Sequence, residues 1–170
     1  MVEQQSRQPH DTSWSFEHSV TVRAAREAAW RFWSDVANWA VVDPAVEWAC
    51  LDGPFEAGTR GRTKPIGAPT TQWTLVAVEP ATRAVIELTA EGAVLRFTWL
   101  LRDDQCGTSL TQRVELEGEA AARYLGAMQG LAENIPLGMA KLVSAIEAAT
   151  TGPPNNSTAS ASRGTIFLKR

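Results

Sequence analysis

Three polar side chains fall where the sequence pattern calls for apolar ones, and they are the first candidates for chemistry. Trp14, Phe16, His18, Val20 and Val22 alternate with Ser15, Glu17, Ser19 and Thr21. A period of two puts the first set on one face of a half-buried strand, so His18 points inward. An imidazole there suits general acid/base work or a hydrogen bond to something in a cavity. The alternative is a structural histidine bonded to a backbone carbonyl or standing at the wet end of a sheet. Gln112 shares its face with Leu110 and Val114. A buried amide needs partners, here a ligand, His18 or a covering helix. Tyr124, the single tyrosine, sits early on the apolar face of the last helical segment. Its hydroxyl either meets a polar ligand group or reaches solvent while the ring packs.

Other chemistries lack their residues. There is no Gly-x-Ser-x-Gly elbow, no phosphate loop and no nucleophile with His and Asp at suitable spacing. Glu87 and Glu91 share a strand, but that face reads as solvated and has no partner acid for paired-carboxylate work. Cys50 and Cys106 are far apart and in no Cys-x-x-Cys pattern, and two histidines cannot build a multi-histidine site. Neither a metal nor a cofactor is expected. The balance of 16 basic and 19 acidic residues, a net charge of −3, argues against a nucleic-acid partner. Arg60, Arg62 and Lys64 alternate on one strand face, which reads as solvated. With no signal-peptide stretch and no apolar run of about 18 residues, the expectation is a cytoplasmic protein that is not integral to a membrane.

The elements that must position these residues follow from periodicity and breaks. Residues 1–12 have no pattern and read as disordered; residues 13–150 read as one domain; residues 151–170 read as a flexible tail. After the first strand, Ala28, Ala29, Phe32, Val36 and Trp39 recur at three- and four-residue steps, with Trp30 and Trp33 widening the stripe. That predicts one amphipathic helix from Ala24 to Asn38, packed by its tryptophans onto a sheet. Asp43-Pro44 ends it. Six strands follow: Val46–Leu51, Thr59–Lys64, Thr71–Val78, Ala84–Thr89, Val94–Arg102 and Thr108–Leu116, separated by Gly, Pro and Asp turns. Tyr124, Met128, Leu131, Ile135, Met139, Leu142 and Ile146 then mark one helix over Glu119–Ala149, about 45 Å long. Pro136 should kink it. Gly126, Gly130 and Gly138 either weaken it into a gate or let it pack closely on the sheet.

Strands with hairpin-length connections beside segregated helices give an α+β fold. The order matches a helix-grip fold: a curved seven-stranded antiparallel sheet wrapped around a long C-terminal helix, with one or two short helices after the first strand. Several motifs carry a resemblance. They are Glu27-Ala28-Ala29-Trp30, Asp35-Val36-Ala37-Asn38-Trp39, Asp43-Pro44, the turn Phe55-Glu56-Ala57-Gly58-Thr59-Arg60-Gly61, the strand from Trp73 to Pro80, Gly107-Thr108 and Gly118. Over residues 14–149 the chain resembles the START/polyketide-cyclase/plant-allergen (SRPBCC) superfamily, and within it the bacterial polyketide cyclase/dehydrase and lipid-transport group. These are scaffold motifs and carry no catalytic group.

The resemblance implies a cavity between sheet and long helix for an apolar or amphipathic small molecule, lipid- or polyketide-like. Residues expected to touch the ligand are His18, Trp73, Phe97, Trp99, Gln112, Tyr124, Met128, Leu131 and Ile135. His18 and Tyr124 are the catalytic candidates if the protein is a cyclase or dehydratase without metal or nucleotide cofactor. A third reading is a partner-binding module with a vestigial cavity, supported only by Ile166-Phe167-Leu168 in the tail. Monomer and homodimer both remain open.

Overall fold

The alternating segments pair as their period requires. In this computed structural model, which describes residues 12–151, seven strands form one antiparallel sheet. They are β1 (Thr12–Val22), β2 (Val46–Leu51), β3 (Arg60–Pro65), β4 (Thr71–Glu79), β5 (Arg83–Ala90), β6 (Ala93–Asp104) and β7 (Gly107–Glu117). The expected N-terminal stretch and the Ile166-Phe167-Leu168 segment lie outside the described residues. The strand order is β1-β7-β6-β5-β4-β3-β2, a meander from β2 to β7 with β1 added beside β7. Register shifts within β1, β2 and β4 mark bulges or irregularities, the feature that bends a strand and lets a sheet curl. His18, Gln112, Trp99 and Ala84 stand opposite one another in a row across β1, β7, β6 and β5.

The helix expected over Ala24–Asn38 is instead split. α1 (Arg26–Ser34) ends at Asp35, whose backbone is extended, and a 3-10 turn (Val36–Asn38) leads into α2 (Trp39–Val42). Side chains of the Asp-Val-Ala-Asn-Trp motif make this break stable. The Ala37 N–H donates to Asp35 Oδ1 at 3.2 Å. Asn38 Nδ2 donates to the Phe32 carbonyl and Trp39 Nε1 to the Trp33 carbonyl, both at 2.8 Å. Those carbonyls belong to the last turn of α1 and have no partner within the helix.

The long helix α3 (Leu125–Thr150) also starts later than Glu119. Gly118 has φ +119, and a Cβ there would lie 2.5 Å from the Gly92 carbonyl oxygen, so the chain turns hard at a residue only glycine tolerates. Next, the Ala120 N–H donates to the Gly92 carbonyl at 2.9 Å and Tyr124 Oη to the Glu91 carbonyl at 3.2 Å. Residues 118–124 are therefore stitched to the β5–β6 turn, with a 3-10 turn over Ala121–Tyr124. The 26 residues of α3 span about 39 Å and run through Pro136.

α3 packs along β1 and against α1 and α2. Leu75, Ile86, Leu101, Leu110 and Val114 of the sheet meet Met139, Leu142 and Ile146 of α3 and Trp30 and Trp33 of α1 in the main core. A smaller cluster joins Ala93, Leu116, Ala121 and Met128, with Tyr124 and Leu131 against it. Close packing does not explain Gly126, Gly130 and Gly138, because a Cβ at each would meet nothing within 4 Å.

A very tight approach in the sheet is at Gly61, the last residue of the Phe-x-x-Gly-Thr-x-Gly turn. It is paired with Trp73, and a Cβ there would stand 2.2 Å from the indole ring. Gly61→Ala should therefore lower stability by about 1–3 kcal/mol, the range for overpacking a filled site, read as an earlier urea midpoint. Gly126→Ala should do the opposite, adding up to about 1 kcal/mol, since helix propensity improves and nothing clashes. A loss of stability in Gly126→Ala contradicts the open surroundings of that residue.

Candidate ligand cavity

Between the inner face of the sheet, α1–α2 and α3 lies a cavity of about 470 Å³. Its sheet wall runs from Thr63 and Pro65 of β3 through Trp73, Ile86, Leu88, Phe97 and Trp99 to Gln112 of β7. Leu131, Ile135, Gly138, Met139 and Leu142 of α3 face them. Phe32, Trp33, Asn38, Trp39, Val42 and Asp43 close the third side. Two lining residues, Asp43 and Asn134, are solvent-exposed and mark the mouth. The exposed apolar residues Val41, Ile66 and Leu137 each adjoin a lining residue in sequence.

The aromatic walls are locked by their own contacts. The Trp73 ring occupies the space left by Gly61, and its Nε1 donates to Thr63 Oγ1 at 2.9 Å. It stacks on Trp39 with ring centroids 5.2 Å apart and 28° between planes. Trp33 is only 3 % exposed and meets Trp99 at 5.0 Å, Phe55 at 5.4 Å and Trp39 at 6.2 Å. Phe55 is the first residue of the same turn motif as Gly61, so one loop supports α1 with one end and Trp73 with the other. Aromatic pairs of this kind add about 0.5–1.5 kcal/mol each beyond burial.

Polar groups are few. Asn38 and Trp39 are occupied by the α1 carbonyls, Thr63 by Trp73, and Asn134 by the Gly130 carbonyl at 2.8 Å. The Gln112 carboxamide has no side-chain hydrogen-bond partner among the described residues and faces the cavity beside Trp99. The sheet's ion pairs lie on its opposite face. Arg96 bonds Glu87 at 2.8 Å and Glu117 at 3.2 Å, and Arg113 bonds Glu115 at 2.8 Å. Partial burial pulls the Arg96 pKa down, but the Glu87 hydrogen bond and the surrounding carboxylates outweigh it and leave the pKa raised.

Of the residues named from sequence, Trp73, Phe97, Trp99, Gln112, Leu131 and Ile135 line the cavity. His18, Tyr124 and Met128 do not. His18 is half-buried on β1, one strand beyond Gln112, and makes no hydrogen bond to it. Tyr124 uses its hydroxyl on the Glu91 carbonyl, and Met128 belongs to the smaller cluster. Sequence reasoning missed Phe32, Trp33, Asn38, Trp39, Val42 and Asp43 as cavity residues. The signal was the width of the α1 stripe: Trp30 and Trp33 make it broader than packing on one surface needs.

No curated protein is similar to the chain in sequence. Among solved structures it resembles the Zhui aromatase/cyclase from a Streptomyces species, with 16% identity, TM-score 0.67, and coverage of 82% of this chain and 96% of that one. It resembles norcoclaurine synthase from Thalictrum flavum at 13% identity and TM-score 0.62, covering 83% and 95%. For the di-domain aromatase/cyclase StfQ of the steffimycin biosynthetic pathway the identity is 15% and the TM-score 0.64, over 82% of this chain and 52% of that one. These likenesses establish the helix-grip fold. The family described as polyketide cyclase/dehydrase and lipid transport matches residues 13–147, nearly the whole of the folded region, and the chain belongs to that family.

Proposed function

We propose that the chain binds a hydrophobic or amphipathic small molecule, lipid- or polyketide-like, in the cavity between sheet and α3. The observation that carries this reading is an apolar-walled space of about 470 Å³ that keeps an exposed mouth. Its size falls within the range of small-molecule pockets, and a few placed polar groups in an apolar wall are the usual arrangement there. Flat rings on several sides favour a ligand with a planar or ring-containing portion. Gln112 offers that ligand an NH2 donor group and a carbonyl acceptor, enough to orient a carbonyl or hydroxyl.

Native mass spectrometry of the purified protein and a thermal-shift panel of lipids and polyphenols test the proposal. A bound species or a raised Tm supports it. No bound species and no shift with any member of the panel rejects it. A ligand that binds should quench tryptophan emission, because Trp33, Trp39, Trp73 and Trp99 all line the space. Gln112→Leu should weaken a ligand carrying a carbonyl or hydroxyl by about tenfold, the worth of one hydrogen bond. Equal affinity of the variant would remove Gln112 from the site.

A cyclase or dehydratase is the second reading, favoured by the family and by the aromatase/cyclase likeness. Such an enzyme would act mainly by folding a reactive ligand against rigid walls, with Gln112 as a polar contact. His18 lies outside the lining, so His18→Ala should leave turnover within about threefold, against the 10²-fold or larger loss of a true general acid/base. A fall of that size in a cyclisation assay would restore His18 to the mechanism.

A further inference from the structure

We infer that the ligand is neutral or cationic where it meets the protein, and that Asp43 makes the cavity reject carboxylates. The inference rests on the ligand-binding reading above and concerns the charge class of that ligand. Among the described residues, no lysine, arginine or histidine lines the cavity, and the one ionisable lining residue is Asp43 at the mouth. Lys141 of α3 lies outside the lining, in a separate surface pocket with Val41, Val42 and Pro44, and two cations of β3 are engaged elsewhere. Arg62 is paired with Asp52 at 2.9 Å, and Lys64 Nζ donates to the Ala68 carbonyl at 2.6 Å. Both alternate with Gly61, Thr63 and Pro65, the residues turned toward the core and cavity. Arg96 and Arg113 are held by carboxylates on the outer face of the sheet.

A ligand carboxylate therefore finds no cation in the lining. Seated inside, it would lose its water with no counter-charge, which apolar contacts do not offset. Turned to the mouth, it would meet the Asp43 carboxylate. That carboxylate is fixed there, because Oδ1 accepts the Ala45 N–H at 2.9 Å where α2 ends. An alcohol, ketone or phenol has neither problem and can use Gln112. An amine can leave its charge at the mouth beside Asp43. The cavity thus excludes free fatty acids and other amphiphilic acids while it admits neutral and basic molecules of the same shape.

The test is a matched series on one fluorescent skeleton: pyrenebutanol, pyrenebutylamine and pyrenebutyric acid, titrated at pH 7.5 into the wild type, Asp43→Asn and Asp43→Lys. The expected result is that the alcohol and the amine bind the wild type at least about tenfold more tightly than the acid, the size of effect that a like charge or an unpaired buried charge produces. Asp43→Asn should narrow the gap between amine and acid to about threefold, and Asp43→Lys should reverse their order. Thermal unfolding checks that both variants fold. An acid that binds wild type as tightly as the alcohol overturns the inference. A preference that survives unchanged in both variants overturns the role of Asp43. Failure of all three probes to bind rejects the ligand-binding reading itself, a different outcome from either.

Discussion

The Trp73 ring lies where the side chain of residue 61 would be, and the rest of the cavity depends on that overlap. With no Cβ at Gly61, the indole can lie against the backbone of β3 and donate to Thr63 on the same strand. Trp39 then has a flat surface to stack on. Trp39 in turn caps the last turn of α1 through the Trp33 carbonyl, and Trp33 reaches across to Trp99 on β6. One glycine thus sets the positions of four tryptophans on two strands and two helices. Any group at residue 61 would push Trp73 toward the cavity and loosen the α1–α2 junction together with it.

The same chain of rings explains why the interior is hollow. Indoles pack rigidly and pair edge to face or offset, so they keep their separation and do not collapse into a gap as flexible side chains do. Trp33, Trp39 and Trp73 form a corner braced from behind by Phe55 and Gly61. The opposite corner, where β6, β7 and β1 meet α3, is filled by Leu110, Val114, Met139 and Ile146. The space between them stays apolar because the sheet sorts its charges: glutamates and arginines pair on the outer face, and the inner face carries one amide, Gln112. An apolar void of this kind holds water poorly, which leaves it ready for an apolar guest.

The strands and the long helix were legible because burial on one face imposes a period, and each segment is long enough to display it. Every expected strand appears within about two residues. The breaks were less legible. Nothing in the apolar stripe of residues 24–38 shows that Asp35 turns extended, since the reason is a set of side-chain bonds from Asn38 and Trp39 back to α1. Nor does the stripe of α3 show that residues 118–124 belong to the β5–β6 turn. Periodicity assigns a side chain to a face but not to a place on that face. His18, Gln112 and Trp99 share an inward row, yet the cavity reaches only the last two, and β1 lies past its edge. Asp43 was read as a helix stop, which it is; that the stop also sits at a mouth depends on how α2 meets β2 and α3.

Among the glycines of α3, Gly138 shows a trade of helix stability for cavity volume. Each costs about 1 kcal/mol against alanine in a helix interior. Gly61 offsets its own cost by letting Trp73 pack, but Gly126, Gly130 and Gly138 have no such neighbour. Gly138 lines the cavity one turn from Leu142 and beside Met139, where any side chain would occupy the space between helix and sheet. Its bareness widens the cavity under the helix. A domain selected for stability alone would fill that position. This one leaves it empty, as the proposed binding role requires, and the deficit is carried by the aromatic brace on the other wall.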